Sequence, residues 1–352
     1  MFLLDTHCDT PSHILRLRDL SQDDTYSHVD FPKLSRGGVD GAFFALYTPA
    51  SLTSSESYAY AHKLLDGVKD LLSSHPDKAR MAVSRDEAYA NKTAGLFSVF
   101  LGLENGAAFE NSLDRIDEFY DAGVRYTTLC HSRNNQICDS CAEGNGWNGL
   151  SSFGKDAVKR MNQLGMLVDV SHISDASFYD VLEVSDKPVV ATHSCCRALC
   201  SHPRNMTDEM IRQLAQAGGV VQINFYPLFL DAAFKVELER SGIMEYGERI
   251  ESEFIADPSN DRKRAAWNKV QHELMALKRP SFKLIADHID HVVDLVGIDY
   301  VGIGSDYDGI EVTPDGMENI SHMPVLFEEL RSRGYTQADL EKIASDNFFR
   351  IL

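Results

Sequence analysis

His7 and Asp9 stand one position apart near the amino terminus. In an extended chain, positions i and i+2 face the same side, so this imidazole and carboxylate could approach one ion together. Further along come Glu104, in Gly102-Leu103-Glu104-Asn105-Gly106, then His131, His172 and His193. Asp306 follows, in Gly304-Ser305-Asp306-Tyr307-Asp308-Gly309. His7, Asp9, Glu104, His172 and His193 are the nitrogen and oxygen donors that zinc takes. Five donors exceed the needs of one catalytic zinc with an open position. They suit two metals about 3.5–4 Å apart that share a carboxylate. Glu104 is the natural bridge, because neither near neighbour can chelate. Singly, each residue is weak: an HxD pair, a loop glutamate or a core histidine is more often structural.

The joint placement of these residues carries the reading, and it comes from the elements that must hold them. Short apolar runs occur at Phe2–Leu4, Gly41–Leu46, Ser98–Leu103, Tyr126–Leu129, Leu167–Val170, Val189–Ala191, Val220–Ile223 and Val301–Ile303. Their composition suits strands of a parallel sheet buried on both faces. Helical spacing fills Ser54–Leu72, Phe153–Leu164 and Phe282–Val296, and Thr207 reads as an N-cap before Met210, Ile211 and Leu214. Eight strands alternating with helices predict an α/β fold, a closed (β/α)8 TIM barrel over residues 1–352 as one unit. An open doubly wound sheet would need a glycine-rich loop after the first strand, and Thr6-His7-Cys8-Asp9-Thr10 is not one. In a barrel the site lies at the carboxyl ends of the strands, where every residue singled out above falls.

Residues 231–280, after the seventh strand, break the alternation. They are rich in Glu, Lys and Arg, with a turn at Asp257-Pro258-Ser259-Asn260-Asp261. The segment reads as a helical insertion, either a solvated hairpin or a lid or subunit contact. Other histidines get plainer readings. His288 and His291 suit a solvated outer helix face, His13 and His28 show no partner pattern, and His202 stays open.

The 352 residues carry 34 basic and 53 acidic side chains, a net charge of −19. Such a surface repels phosphate backbones, which argues against nucleic-acid binding. The seven cysteines form no repeated framework, and Cys138-x-x-Cys141 is one isolated pair. Reduced thiols, no secretory leader and no run of about 18 apolar residues lead to the expectation of a cytoplasmic protein without a membrane span.

With these residues in place, the chain resembles the membrane (renal) dipeptidase family of zinc peptidases, within the amidohydrolase-like barrels. The likeness runs from Asp5-Thr6-His7-Cys8-Asp9-Thr10-Pro11 to Val301-Gly302-Ile303-Gly304-Ser305-Asp306-Tyr307-Asp308-Gly309, and is densest over residues 149–229. It implies two zinc ions per chain, one on His7, Asp9 and Glu104, the other on Glu104, His172 and His193. It implies that His131 contacts substrate near the scissile bond and that Arg204, in His202-Pro203-Arg204-Asn205, holds the terminal carboxylate. Asp306 matches the acid–base aspartate. Cys8 occupies a position that is often asparagine in animal members, and it is not a ligand. The insertion is much longer than in those enzymes.

The resemblance therefore implies a zinc dipeptidase that uses a metal-bridging hydroxide, accepts some C-terminal D-residues and forms a homodimer. Two other functions stay in view: an amidohydrolase for cyclic amides or lactones, and a non-catalytic metal-binding barrel. Many barrels of the former kind bridge their metals with a modified lysine at the fourth strand. Here that strand ends Leu129-Cys130-His131, without one.

Overall fold

The structure is a computed structural model that describes all residues from Met1 to Leu352. Its strands are β1 (Leu4–Cys8), β2 (Gly41–Tyr47), β3 (Ala79–Met81), β4 (Phe97–Glu104), β5 (Val124–Thr128), β6 (Leu167–Asp169), β7 (Val190–Ser194), β8 (Val220–Ile223) and β9 (Val301–Ile303). Eight of them pair in parallel in the order β1-β2-β4-β5-β6-β7-β8-β9, and β3 attaches outside the barrel to β4. β1 and β9 meet through loop residues rather than a full ladder. Asp306 N donates to His7 O at 3.0 Å and Asp9 N donates to Tyr307 O at 2.8 Å. Thr6 Oγ1 lies within hydrogen-bond reach of the carbonyls of Ile303 and Thr192, at 3.0 and 2.9 Å. The barrel is thus nearly closed, and its seam falls beside the residues of chemical interest.

The period-2 pattern of β4 shows how the interior is used. Phe100, Gly102 and Glu104 share one face. Phe100 joins Leu4, Phe43, Tyr126, Leu167 and Val190 in an inner cluster, closed below by Phe348 and Phe349 near the carboxyl terminus. Glu104, two steps further on, reaches the mouth. Between them Gly102 is required sterically: a Cβ there would sit 2.2 Å from Cζ of Tyr126. A larger core cluster lies between the strands and the outer helices.

Most elements follow the sequence expectations. Ser54–Ser74, Ser152–Leu164 and Lys283–Val296 are helices, and Thr207 Oγ1 caps Asp208–Gln216 by accepting from Met210 N at 3.2 Å. Three differences have physical causes. The first strand begins at Leu4 and runs to Cys8, because Phe2 packs into the barrel floor instead. The strand ending at His193 extends through Ser194, since polar Thr192 and Ser194 are buried by hydrogen bonding rather than by apolarity. Short β3 lacks an apolar run long enough to be read from sequence.

The insertion holds three helices, Ala232–Ser241, Ile243–Ala256 and Asp261–Met275. It is not a solvated hairpin. Phe234, Leu238, Phe254, Trp267, Val270 and Leu274 form a core of their own. His288 also corrects the reading of its helix as an outer face. It is buried, and its Nδ1 accepts from Cys196 N at 3.0 Å.

Candidate active site

Each element delivers one or two groups to the barrel mouth. His7 comes from β1 and Asp9 from the turn after it; Glu104 ends β4, and His193 lies on β7. His172 follows β6 in the left-handed backbone region with φ 70°, while Asp306 and Asp308 follow β9 with φ 66° and 67°. Non-glycine residues avoid this region, so these loops hold strained backbone at the place where side chains must converge.

The convergence centres on Glu104. Its Oε2 lies 3.3 Å from His7 Nε2. Its Oε1 lies 3.2 Å from His172 Nε2, 3.5 Å from His193 Nε2 and 3.8 Å from His131 Nε2. His7 Nε2 is also 3.4 Å from Asp9 Oδ2, and the Nε2 atoms of His172 and His193 are 2.9 Å apart. Ligand atoms bonded tetrahedrally to zinc at about 2.0–2.1 Å lie about 3.3 Å from one another, so these spacings fit a metal site. Fully buried His7 Nε2 and Asp9 Oδ1 have no hydrogen-bond partner, a costly condition that a cation relieves. The two oxygens of Glu104 therefore face two separate donor groups.

The surroundings orient the imidazoles. Thr192 Oγ1 donates to Asp169 Oδ2 at 2.6 Å, which commits its single proton. Its oxygen, 2.8 Å from His193 Nδ1, must then accept from that nitrogen, leaving Nε2 with a lone pair toward Glu104. Tyr126, lying across Gly102, places its hydroxyl 2.8 Å from His7 Nδ1 and so fixes the orientation of that ring.

Burial and neighbouring charge set the protonation of these rings. Burial, reinforced by Arg204 and neighbouring histidines, holds His172 well below the ordinary histidine range, and burial likewise lowers His193. Burial lowers His131 to about 3, so its ring is neutral near pH 7. Burial pushes Asp306 up to about 7, against the pull of His7, and Asp9 adds to the rise. Asn224 Nδ2 donates to Asp306 Oδ2 at 2.9 Å, and His7 Nε2 is 3.9 Å from its Oδ1. Gly309 makes room here, since a Cβ would fall 2.1 Å from Asp9 Oδ2.

Arg204 is 6% exposed. It donates to Ser194 Oγ and to the His193 carbonyl, both at 2.7 Å, while its Nε has no partner. His131 stacks edge-on to Tyr47. All eight residues singled out from the sequence thus meet at one mouth. Cys8 turns away from the cluster toward Ser305, 3.8 Å off. The seven cysteines are free thiols, and Cys138 is buried.

A cavity of about 490 Å³ opens from the cluster, lined by Arg204, His131 and Asp306 among others. Several of its walls escaped the sequence reading. His202, left open there, lines it against Phe229. His13 and His28 also line it. Asp308 Oδ1 accepts from His28 N at 2.7 Å and its Oδ2 accepts from Thr10 Oγ1 at 2.8 Å, tying the loops after β1 and β9 together. The insertion contributes Glu251, Ile255, Trp267 and Gln271. Only its position after a barrel strand signalled this.

A parallel barrel with histidines and carboxylates converging at the strand ends defines a metal-dependent hydrolase. Comparison with known proteins narrows the class. A model of the membrane dipeptidase family (peptidase family M19) matches residues 1–352, and the chain belongs to that family of peptide-bond hydrolases. Dipeptidase verJ of Clonostachys rogersoniana is 29% identical over 337 residues, 93% of this chain and 75% of that protein. Dipeptidase aclJ of Aspergillus oryzae is 29% identical over 360 residues, covering 100% and 75%. Among solved structures, the probable dipeptidase PvdM from Pseudomonas aeruginosa superposes with a TM-score of 0.83 at 24% identity, covering 100% of this chain and 94% of that one. A metallo peptidase from Rhodobacter sphaeroides, solved with a phosphinate mimic of the dipeptide L-Ala-D-Ala, gives 0.81 at 22% identity, covering 100% and 98%.

Proposed function

We propose that the protein is a zinc dipeptidase that cleaves the single peptide bond of free dipeptides, including some that end in a D-residue. The carrying observation is Glu104, whose two oxygens face His7 on one side and His172 with His193 on the other. His7, Asp9 and Glu104 would hold one zinc ion, and Glu104, His172 and His193 the second. Bound there, the ions would polarise the scissile carbonyl and lower the pKa of water toward neutrality.

The chain's own groups divide the remaining work. Asp306, half-buried and held by Asn224, takes a proton from the attacking water and passes it to the leaving amine. Neutral His131 donates to the carbonyl oxygen as negative charge develops on it. Arg204 takes the substrate's terminal carboxylate, which confines cleavage to one residue from the carboxyl end. The relatives named dipeptidases support cleavage of dipeptides, and the mimic bound by the Rhodobacter enzyme is of the matching size.

The test is a panel of L-L and L-D dipeptides, assayed with zinc and after chelation, beside metal analysis. Hydrolysis that tracks a content of about two zinc ions per chain is expected. A zinc-loaded protein that cleaves no dipeptide would end the proposal. Arg204→Ala is expected to raise KM strongly while both metals stay bound, and unchanged kinetics would remove Arg204 from substrate binding.

A further inference from the structure

The cavity is larger than small dipeptides require. At about 490 Å³ it falls within the range of sites for drug-sized ligands, and it runs from Arg204 out to the insertion. With the terminal carboxylate on Arg204 and the scissile bond at the histidine–carboxylate cluster, the N-terminal residue is the part left to fill the outer cavity. That outer wall sets Ile255, Trp267 and Ile310 beside Glu251 and Glu311. Apolar surface next to a carboxylate suits an alkyl stem that ends in a cation.

The two carboxylates are not equivalent. Glu251 Oε1 lies 3.2 Å from a terminal nitrogen of Arg16, so it already has a counter-charge. Glu311 has none: the charged groups that act on it, Glu251 and Asp306, are both acidic. The same cavity is lined by His13, which is 5% exposed and whose Nδ1 lacks a hydrogen-bond partner. Burial keeps that ring neutral, so its bare nitrogen can accept a hydrogen bond from a ligand.

We propose that Glu311 is a specificity residue that receives the basic side chain of the substrate's N-terminal residue, so that the enzyme favours dipeptides beginning with lysine or a similar amine. The proposal rests on the dipeptidase reading. A lysine ammonium supplies the counter-charge that Glu311 lacks, and the stem covers Trp267 and Ile255. Burial, reinforced by Glu251, pushes the Glu311 carboxyl up to about 7, as befits a carboxylate without a cation beside it.

The experiment compares Lys-Ala, norleucine-Ala and Ala-Ala on the zinc-loaded enzyme and on Glu311→Gln. Norleucine keeps the stem of lysine and removes the charge. Wild type is expected to favour Lys-Ala over norleucine-Ala by roughly tenfold or more in kcat/KM, the usual worth of a charged hydrogen bond. Glu311→Gln is expected to abolish that preference while norleucine-Ala turnover and zinc content hold. Equal wild-type rates on the two peptides would overturn the proposal without needing the variant. An equal loss on all three peptides in Glu311→Gln would also overturn it, and would assign Glu311 to the α-amino group. In both cases the dipeptidase reading survives, because Ala-Ala is still cleaved. Cleavage of other dipeptides but none of these three would overturn the Glu311 proposal alone, and cleavage of no dipeptide at all would overturn both.

Discussion

At the scale of single residues, Glu104 and Asp306 are carboxylates at one mouth with different tasks. Glu104 is ringed by four imidazoles and suits metal binding, whereas Asp306 meets one imidazole and the Asn224 amide. Asp306→Asn preserves shape and removes the proton acceptor. It is expected to keep zinc and lose roughly 10²–10⁴-fold in kcat, the usual share of general acid–base catalysis. Wild-type turnover would exclude the proton role. Thr192 acts through His193: Thr192→Val frees Nδ1 from its acceptor and should weaken zinc about 10–100-fold by equilibrium dialysis. Thr192→Ser should restore affinity, which a purely steric role would not allow. Glu311 makes a third case. Its folded pKa, about 7, stands above the ordinary glutamate value of 4.5, so its share of stability is intact below about 4.5 and is lost as pH rises through 7. Glu311→Gln should therefore gain on wild type in Tm between pH 5 and 8. A difference independent of pH would mean the carboxylate is well solvated.

At the scale of elements, the apolar runs located the eight barrel strands because both faces of each are buried. The donor set was legible for a related reason: strand ends aim their last side chains at one mouth. What stayed hidden was local in sequence but remote in space. His13 and His28 gain meaning only from the loop after β9, where Asp308 meets them. The insertion looked charged and solvated because Phe234, Phe254 and Trp267 are scattered over three helices and meet only when these fold together. Arg18 NH2, donating to Asn268 at 3.1 Å, and Arg279, donating to the Thr313 carbonyl at 3.0 Å, fix the insertion to the barrel. Trp267 is 4% exposed, and Trp267→Ala should cost about 3–5 kcal/mol within the insertion. Limited proteolysis is then expected to cut first between residues 232 and 275. KM should rise, with zinc content and saturated kcat held. An unchanged KM would reduce the insertion to a decoration.

At the scale of the molecule, the barrel divides into a floor that stabilises and a mouth that costs. The floor is aromatic: Phe43 stacks on Phe100 with centroids 4.8 Å apart, and Phe348 meets Phe43 edge-on. The mouth crowds Asp9, Glu104 and Asp306 around His7, with polar atoms of His7 and Asp9 unpartnered. In a chain of net charge −19, no surplus of basic groups compensates that crowding. Zinc would bind only the folded arrangement, since its five donors come from four strand ends far apart in sequence. Its affinity therefore adds to folding stability by mass action. Chelation should lower Tm, and stoichiometric zinc should restore it before any peptide is added. The effect should be halved or more in His172→Ala, which removes one donor from a shared cluster. It should persist in Asp306→Asn, which leaves the donor set whole. A Tm indifferent to zinc in the wild-type protein would mean that the crowded carboxylates find their relief elsewhere, and that the mouth is not a metal centre.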